Sequence, residues 1–388
     1  MKIAIVNPIT RTPTKHVVPK IGSNRDAMIV KLAREMAALG HKVDLFVSEL
    51  YKPEVDEDVG VTVIYLKTYF PGFPEIPFMP SLIARLRDKY DVVLTSEAFQ
   101  WATLFAVLAR LFSFKKRPRI YVWQELSVHQ RMLRSLPSLF FHRIVLPVFG
   151  PGIDGFIPRG DRAARFLLEQ GVRKEKVLPA ISHGVDQTRF GNDLQTGDRT
   201  YFLSPSRLTS EKGVSTLLEA LGRLRDEGVA VKLIIVGDGP EADEFMELAT
   251  SLGVADQVEF IRHRVDHEVM RDLYNNAIAT VIASRRDFML FSIMESLVCG
   301  TPVIVSDAVD ISENVACAGG GIVVPVDDSQ SLASAMLELF RDKALRSKYS
   351  EQAGEVGRGF TNDHVAQALL KRLFEPVPQS HQASYSRD

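Results

Sequence analysis

Residues 201–221 read YFLSPSRLTSEKGVSTLLEAL. A short apolar run, Tyr201–Ser204, gives way to a polar loop, and from Val214 to Asp226 apolar residues recur at helical spacing. Strand, loop and helix in this order are the repeating piece of an α/β sheet. The loop carries Arg207 and Lys212 immediately before Gly213. A cation pair beside a helix N-terminus suits a phosphate, because free N–H groups, the helix dipole and two side-chain charges all attract it. Read alone, the segment is also compatible with two solvated loop charges.

Downstream the rhythm repeats: strand Lys232–Val236, helix Glu241–Leu252, strand Gln257–Phe260, helix Glu268–Asn275 and strand Thr280–Ala283. Upstream, apolar runs at Ile3–Val6, Val43–Val47, Val61–Tyr65, Val92–Thr95 and Ile120–Trp123 alternate with helical stretches such as Trp101–Leu111. Gly40 stands where a helix over Met28–Ala37 needs a left-handed terminus. The fold class is α/β, with two Rossmann-like, doubly wound parallel sheets. The loop-rich stretch SHGVDQTRFGNDLQTGDRT, residues 182–200, lies between them. The expected organisation is an N-terminal domain over 1–186 and a C-terminal domain over 187–362. A terminal helix over 363–375 should pack back toward the first domain, and 376–388 should form a disordered tail.

At 388 residues the chain is long enough for two ordinary cores. A composition 46% hydrophobic and 24% charged, with a formal net charge of -1, excludes a disordered chain and offers no basic field for nucleic acid. The two cysteines, Cys299 and Cys317, have no metal-ligand spacing, and the N-terminal apolar run ends at Asn7-Pro8, too short for a signal peptide. A cytoplasmic location is expected.

Residues 231–245, VKLIIVGDGPEADEF, run a strand into Gly237-Asp238-Gly239-Pro240, with Pro240 expected at the first helical position. Glycines there let a ligand approach the backbone, or simply form a tight turn. Gly237, Gly239 and Ala242 also satisfy a G-x-G-x-x-A dinucleotide pattern, deep in the chain rather than at its first strand. An NAD-dependent oxidoreductase is the corresponding alternative, and it leaves Arg207, Lys212 and Glu295 without a role. Residues 282–307, IASRRDFMLFSIMESLVCGTPVIVSD, place Asp287 before a helix expected to begin near Ser292, with Glu295 about one turn inside and Gly300 at its end. Carboxylates at the C-terminal edge of a parallel sheet can hold sugar or ribose hydroxyls.

In this order and at these separations, the three segments resemble the family 4 glycosyltransferases. LAREMAALGHKVDLFV (32–47), GVRKEKVLPAISHGVDQTRF (171–190) and GGGIVVPVDDSQSLASAM (319–336) are similar to other parts of that family, so the resemblance covers nearly the whole chain. It implies the GT-B fold, with two domains facing a central cleft, a retaining mechanism and metal independence. It further implies a nucleotide-diphosphate-sugar donor, most readily a UDP- or GDP-sugar, and no other cofactor. Arg207 and Lys212 match the diphosphate-binding pair, Asp287 and Glu295 the two acids of the Glu-x7-Glu motif, and Gly237 and Gly239 the glycine loop. Glu295 would hold the ribose. Asp287 and the backbone amides that follow, at Phe288, Leu290, Phe291 and Ser292, would meet the donor sugar, and Arg262 and His263 fall where the base is contacted.

This chain departs from the family pattern at several positions. Asp287 is shorter than the usual glutamate, and Phe288 and Leu290 replace glycines. Gln124 and Glu125 stand where a histidine and an acid are usual, with His129 nearby, and these three are the candidate sugar or acceptor contacts. Gly22-Ser23-Asn24 replaces a Gly-Gly pair near the donor, and His183 replaces the asparagine of Asn-Gly-Val-Asp. A degenerate GT-B scaffold that binds nucleotide or partner without transfer is the second alternative. The acceptor class is a glycan, a lipid-linked glycan or a small molecule, in cell-surface polysaccharide or glycoconjugate synthesis. The stretches LFAVLARLFSFKKRPR and RMLRSLPSLFFHRIVLPVFG join apolar residues to Lys115, Lys116, Arg117, Arg131, Arg134 and Arg143. They suggest peripheral contact of the N-domain with the inner face of a membrane, or an ordinary core helix beside a basic loop.

Overall fold

A computed structural model describes residues 1–11, 17–25, 27–126, 139–191, 199–287, 291–309, 315 and 318–375. His129, Phe288, Leu290, Cys317 and the expected tail lie outside these residues. The chain forms two compact units, one from Met1–Gly184 together with the segment from Asn362, the other from Val185–Thr361.

The first unit is a six-stranded sheet of β1 (Lys2–Val6), β2 (Lys42–Ser48), β3 (Thr62–Leu66), β4 (Val92–Ser96), β5 (Arg119–Gln124) and β6 (Gly155–Pro158). The order is β3-β2-β1-β4-β5-β6 and every pairing is parallel. The continuous apolar runs arise because both faces are covered. Ile3, Ile5, Leu45, Leu94 and Trp123 point to one face, where they meet α1 (Met28–Ala38). Ala4, Val6, Phe46, Val93 and Val122 point to the other, against α2 (Leu82–Leu86) and α3 (Trp101–Leu111). The short α4 (Leu146–Phe149) and α5 (Asp161–Glu169) complete that side.

The second unit has β7 (Tyr201–Pro205), β8 (Lys232–Val236), β9 (Val258–Ile261), β10 (Ala277–Ile282), β11 (Val303–Ser306) and β12 (Gly321–Val324). Its order, β12-β11-β10-β7-β8-β9, repeats the winding of the first unit and is again all parallel. Its helices are α6 (Val214–Asp226), α7 (Ala242–Ser251), α8 (His267–Asn276), α9 (Phe291–Val298), α10 (Ser329–Arg341) and α11 (Lys343–Arg358). α10 begins at Ser329 because Asp328 caps it, its side chain accepting from the Gln330 and Ser331 amides.

At Asn362 the chain re-enters the first unit as α12 (Asn362–Phe374). Its Val365, Ala366, Leu369, Leu370 and Leu373 join the cluster that also holds Ile3, Leu32 and Met36. In each sheet the strand order reverses once, between β1 and β4 and between β7 and β10. Open α/β sheets bind ligands beyond the carboxyl ends of the strands at such a point.

Candidate functional site

The reversal between β7 and β10 in the second unit is where most of the expected residues gather. After β7 a tight turn over Ser210–Lys212 leads into Gly213, which has φ +64° and opens α6. A Cβ at Gly213 would stand 1.9 Å from the Ala283 carbonyl oxygen at the end of β10, so only glycine brings these two loops together. Lys212 then reaches across the reversal, and its ammonium pairs with Asp287 Oδ2. Ser284 Oγ donates to the same carboxylate oxygen over 3.4 Å. Arg207 is exposed and, among the described residues, its side chain has no hydrogen-bond or ion-pair partner. The first-turn amides of α6, the Lys212 ammonium and the nearby Arg207 make this edge suited to an anion.

Glu295 sits one turn inside α9, whose half-exposed beginning includes Phe291 and Ser292. The Tyr274 hydroxyl, fully buried on α8, donates to Glu295 Oε2 over 3.0 Å. Burial raises the Glu295 carboxyl above its ordinary value, and the Tyr274 bond opposes part of that rise. A carboxylate fixed in this way is a hydrogen-bond acceptor for hydroxyl groups.

One expectation about the loop after β8 is corrected, the place of Pro240. A Cβ at Gly237 would stand 2.1 Å from Ser206 O, and one at Gly239 would stand 2.2 Å from Leu208 O. Their missing side chains make room for the neighbouring loop of this same chain. The Leu208 amide donates to Asp238 O and the Glu241 amide to Leu208 O, stitching the two loops. With the Glu241 amide spent on this loop contact, α7 starts at Ala242, and Pro240 precedes it instead of occupying its first position. Arg262 is engaged as well, donating to Asp238 Oδ1 at 3.0 Å and Asp243 Oδ1 at 2.7 Å, while His263 is exposed. The Arg262 hydrogen bond holds Asp238 below the usual carboxylate range.

In the first unit, the ends of β4, β5 and β6 carry a second polar cluster. Gln124 is fully buried, accepting from the Ala98 amide at 2.9 Å and donating to Leu126 O at 3.2 Å. Both ends of its amide are bonded within the chain. Glu125 is half-exposed, and its Oε2 lies 2.5 Å from Arg159 Nη1 and 3.4 Å from His183 Nε2. Arg159, buried, stacks its guanidinium 4.1 Å from the Trp123 ring centre and sits 2.7 Å from His183 Nε2. Burial opposes ionisation of Glu125, but the His183 and Arg159 side chains outweigh it and draw the carboxyl down to about 2. Burial and the Arg159 charge push His183 down to about 4, so the ring is neutral.

Glu97, at the end of β4 with φ +55°, accepts the Glu125 and Leu126 amides, and burial pushes its carboxyl up to about 7. Glu97, Arg159 and His183 escape sequence reading as a cluster because they converge from three separate loops. Around Gly22 a Cβ would meet nothing within 4 Å. Ser23 and Asn24, which replace the usual glycines, are tied to Glu57 and Asp56. Among the described residues no group of three or more His, Cys, Asp or Glu is placed to hold a metal ion.

Residues 186–356 match the family model described as "Glycosyl transferases group 1", and residues 26–180 match "Glycosyl transferase 4-like domain". The chain is 28% identical over 230 residues to a putative colanic acid biosynthesis glycosyltransferase, WcaL, of Salmonella typhimurium, covering 57% of this chain and 56% of that protein. It is 29% identical over 258 residues to phosphatidyl-myo-inositol mannosyltransferase of Mycolicibacterium smegmatis, covering 65% and 64%. The chain thus spans less than two thirds of either relative. Among solved structures, Anabaena HepE in complex with UDP superposes with a TM-score of 0.67 at 17% identity, over 96% of this chain and 99% of that one. With each unit matched by its own family model and both sheets wound alike, the chain belongs to the family 4-like glycosyltransferases of GT-B fold.

Proposed function

We propose that this glycosyltransferase is a retaining, metal-independent enzyme that moves a sugar from a nucleotide-diphosphate-sugar donor to a glycan or lipid-linked acceptor. The observation that carries the reading is the pairing of Lys212 with Asp287 beside the N-terminus of α6, at the reversal between β7 and β10, with Glu295 held by Tyr274 on the helix that follows Asp287. In this scheme Arg207, Lys212 and the α6 amides bind the diphosphate, Glu295 accepts the ribose hydroxyls and Asp287 the sugar hydroxyls. The amides at the start of α9, around Phe291 and Ser292, complete the sugar pocket. As the anomeric C–O bond breaks, its electron pair moves onto the diphosphate, and the cations and amides stabilise that charge. The acceptor oxygen bonds the same face of the anomeric carbon and passes its proton to the departing phosphate. Losing one such electrostatic donor typically costs roughly 100 to 1,000-fold in rate. A UDP-sugar is the first candidate, because HepE is described in complex with UDP and with UDP-glucose. Production of a cell-surface polysaccharide is favoured by the colanic acid and lipopolysaccharide core relatives.

The deciding experiment is a thermal-shift panel of UDP-, GDP- and ADP-sugars with NAD as counter-ligand. It is run on the wild type and on Arg207→Ala/Lys212→Ala. A ligand at 100 times its dissociation constant adds about 2.7 kcal/mol to stability. One sugar nucleotide should stabilise the wild type and not the double variant. Stabilisation by NAD alone, or by nothing, overturns the donor site.

A second reading concerns location. No helix among the described residues is long and apolar enough to cross a membrane. In the first unit, however, Leu111, Phe112 and Phe114 are exposed at the end of α3, as are Ile144 and Val148 at the approach to Gly150. Arg110 of α3 donates to Gly152 O, joining the two segments, and Lys115, Lys116 and Arg143 lie beside them. We infer peripheral contact of this face with an anionic membrane surface.

A further inference from the structure

The turn that presents Lys212 is held from outside by a residue with no role in the donor contacts above. Arg285 follows β10, two residues before Asp287. Its main-chain N–H donates to Glu211 O over 2.8 Å, and its Nη1 donates to Ser210 O over 2.7 Å. Two successive carbonyls of the Ser210–Lys212 turn are thereby captured by one residue. Its Nε donates to Asp327 Oδ1 at 2.7 Å, and its Nη2 to Ser215 Oγ in the first turn of α6 at 3.4 Å. Asp327 Oδ1 also accepts from Thr216 Oγ1 at 3.2 Å, so the same carboxylate ties α6 to the guanidinium.

Each of the three guanidinium nitrogens donates one N–H within the chain, which suits Arg285 to act as a clamp. A planar fork with fixed donor directions can meet a carbonyl, a carboxylate and a hydroxyl at once, and a lysine ammonium on a flexible stem cannot reproduce that set. The segment 285–287 therefore grips the turn twice: through Arg285 at Ser210 and Glu211, and through Asp287 at Lys212.

We propose that Arg285 is a positioning residue for the donor diphosphate, fixing the Ser210–Lys212 turn so that the Lys212 ammonium and the first amides of α6 face one anion together. The proposal rests on the diphosphate reading of Lys212 given above. It predicts that charge alone at position 285 is insufficient.

The test is calorimetric titration with UDP, or with GDP if the panel selects guanine. It uses the full chain as wild type, Arg285→Lys, Lys212→Ala and the double variant, with urea unfolding of each in the absence of ligand. Arg285→Lys should weaken nucleotide binding about tenfold, the scale of one lost charge-assisted hydrogen bond, while the urea midpoint stays near that of the wild type. The double variant should bind about as weakly as Lys212→Ala alone, because Arg285 acts through the turn that carries Lys212. Wild-type affinity in Arg285→Lys, or penalties that multiply in the double variant, overturns the positioning role and leaves the diphosphate site standing. An unchanged affinity in Lys212→Ala sinks the diphosphate reading and this inference with it. If Arg285→Lys fails to fold, Asp327→Asn, which weakens the Nε anchor together with the Thr216 bond to the same oxygen, should give a smaller loss of nucleotide affinity, and wild-type affinity there overturns the proposal.

Discussion

Glu97 and His183 titrate against each other across one pH window. The folded-state value of Glu97, about 7, lies above its ordinary 4.5, so the native chain binds the extra proton and this group favours folding less as pH rises from about 4.5 to 7. His183, lowered to about 4 from 6.5, acts in the opposite sense, withdrawing stability as pH falls from about 6.5 to 4. Their contributions oppose each other in the wild type. Replacing Glu97 by Gln leaves only the histidine, and urea midpoints of Glu97→Gln should fall more steeply than wild type between pH 6.5 and 4.5. A parallel pair of curves would refute the assignment. These residues also show where sequence reading stopped. Arg207, Lys212 and Glu295 were legible because each sits at a fixed offset from a strand end or helix start. Arg285, Arg159 and Tyr274 act through partners from 21 to 75 residues away, and no local pattern announces such a pair.

At the scale of elements, most strands were read to within a residue of their ends because most are apolar on both faces, whereas β6 (Gly155–Pro158) went unread and β10 begins at Ala277, three residues before the expected Thr280. Trp101–Leu111, Val214–Asp226 and Lys232–Val236 fall on the expected limits. α11 went unread because its sequence is mostly charged and small, and it buries only Arg346, Ala353 and Gly357. α12 is a different case: its apolar stripe is clear, and the structure shows which core receives it. Fully burying an aliphatic side chain contributes about 1.5–3 kcal/mol, so Val365, Leu369, Leu370 and Leu373 together rival the whole stability of an ordinary domain, about 5–15 kcal/mol. A chain ending at Thr361 should retain a folded second unit and lose cooperative unfolding of the first, measured by amide exchange resolved along the sequence. Native-like protection of Leu32 and Met36 in that truncated chain would contradict the role given to α12.

For the molecule as a whole, a net charge of -1 predicts little general attraction to an anionic surface, so any attraction must come from the local face of Lys115, Lys116 and Arg143. Sedimentation with anionic vesicles at low salt should recover the wild type, with much less bound to zwitterionic vesicles or at high salt. Phe114 is 83% exposed and Val148 66% exposed, and replacing both by Asp should abolish recovery without altering nucleotide binding in the second unit. Undiminished recovery of that variant would remove the membrane reading. The winding of both sheets explains why fold was more legible than chemistry. Repeated strand-helix alternation announces a doubly wound sheet anywhere it occurs, whereas ligand contacts depend on which loops the strand reversal brings together.

The return of the chain at Asn362 also sets a timetable for synthesis. A ribosome adds about 5–20 residues per second and usually lets the first domain finish before the next emerges. Here Met1–Gly184 cannot close its hydrophobic face until α12, made only after Val185–Thr361, has left the exit tunnel. Val185–Thr361 is complete sooner, so the unit begun first is finished last, and its uncovered Ile3, Leu32 and Met36 surface must be tolerated, or shielded by a chaperone, for as long as the rest of the chain takes to appear.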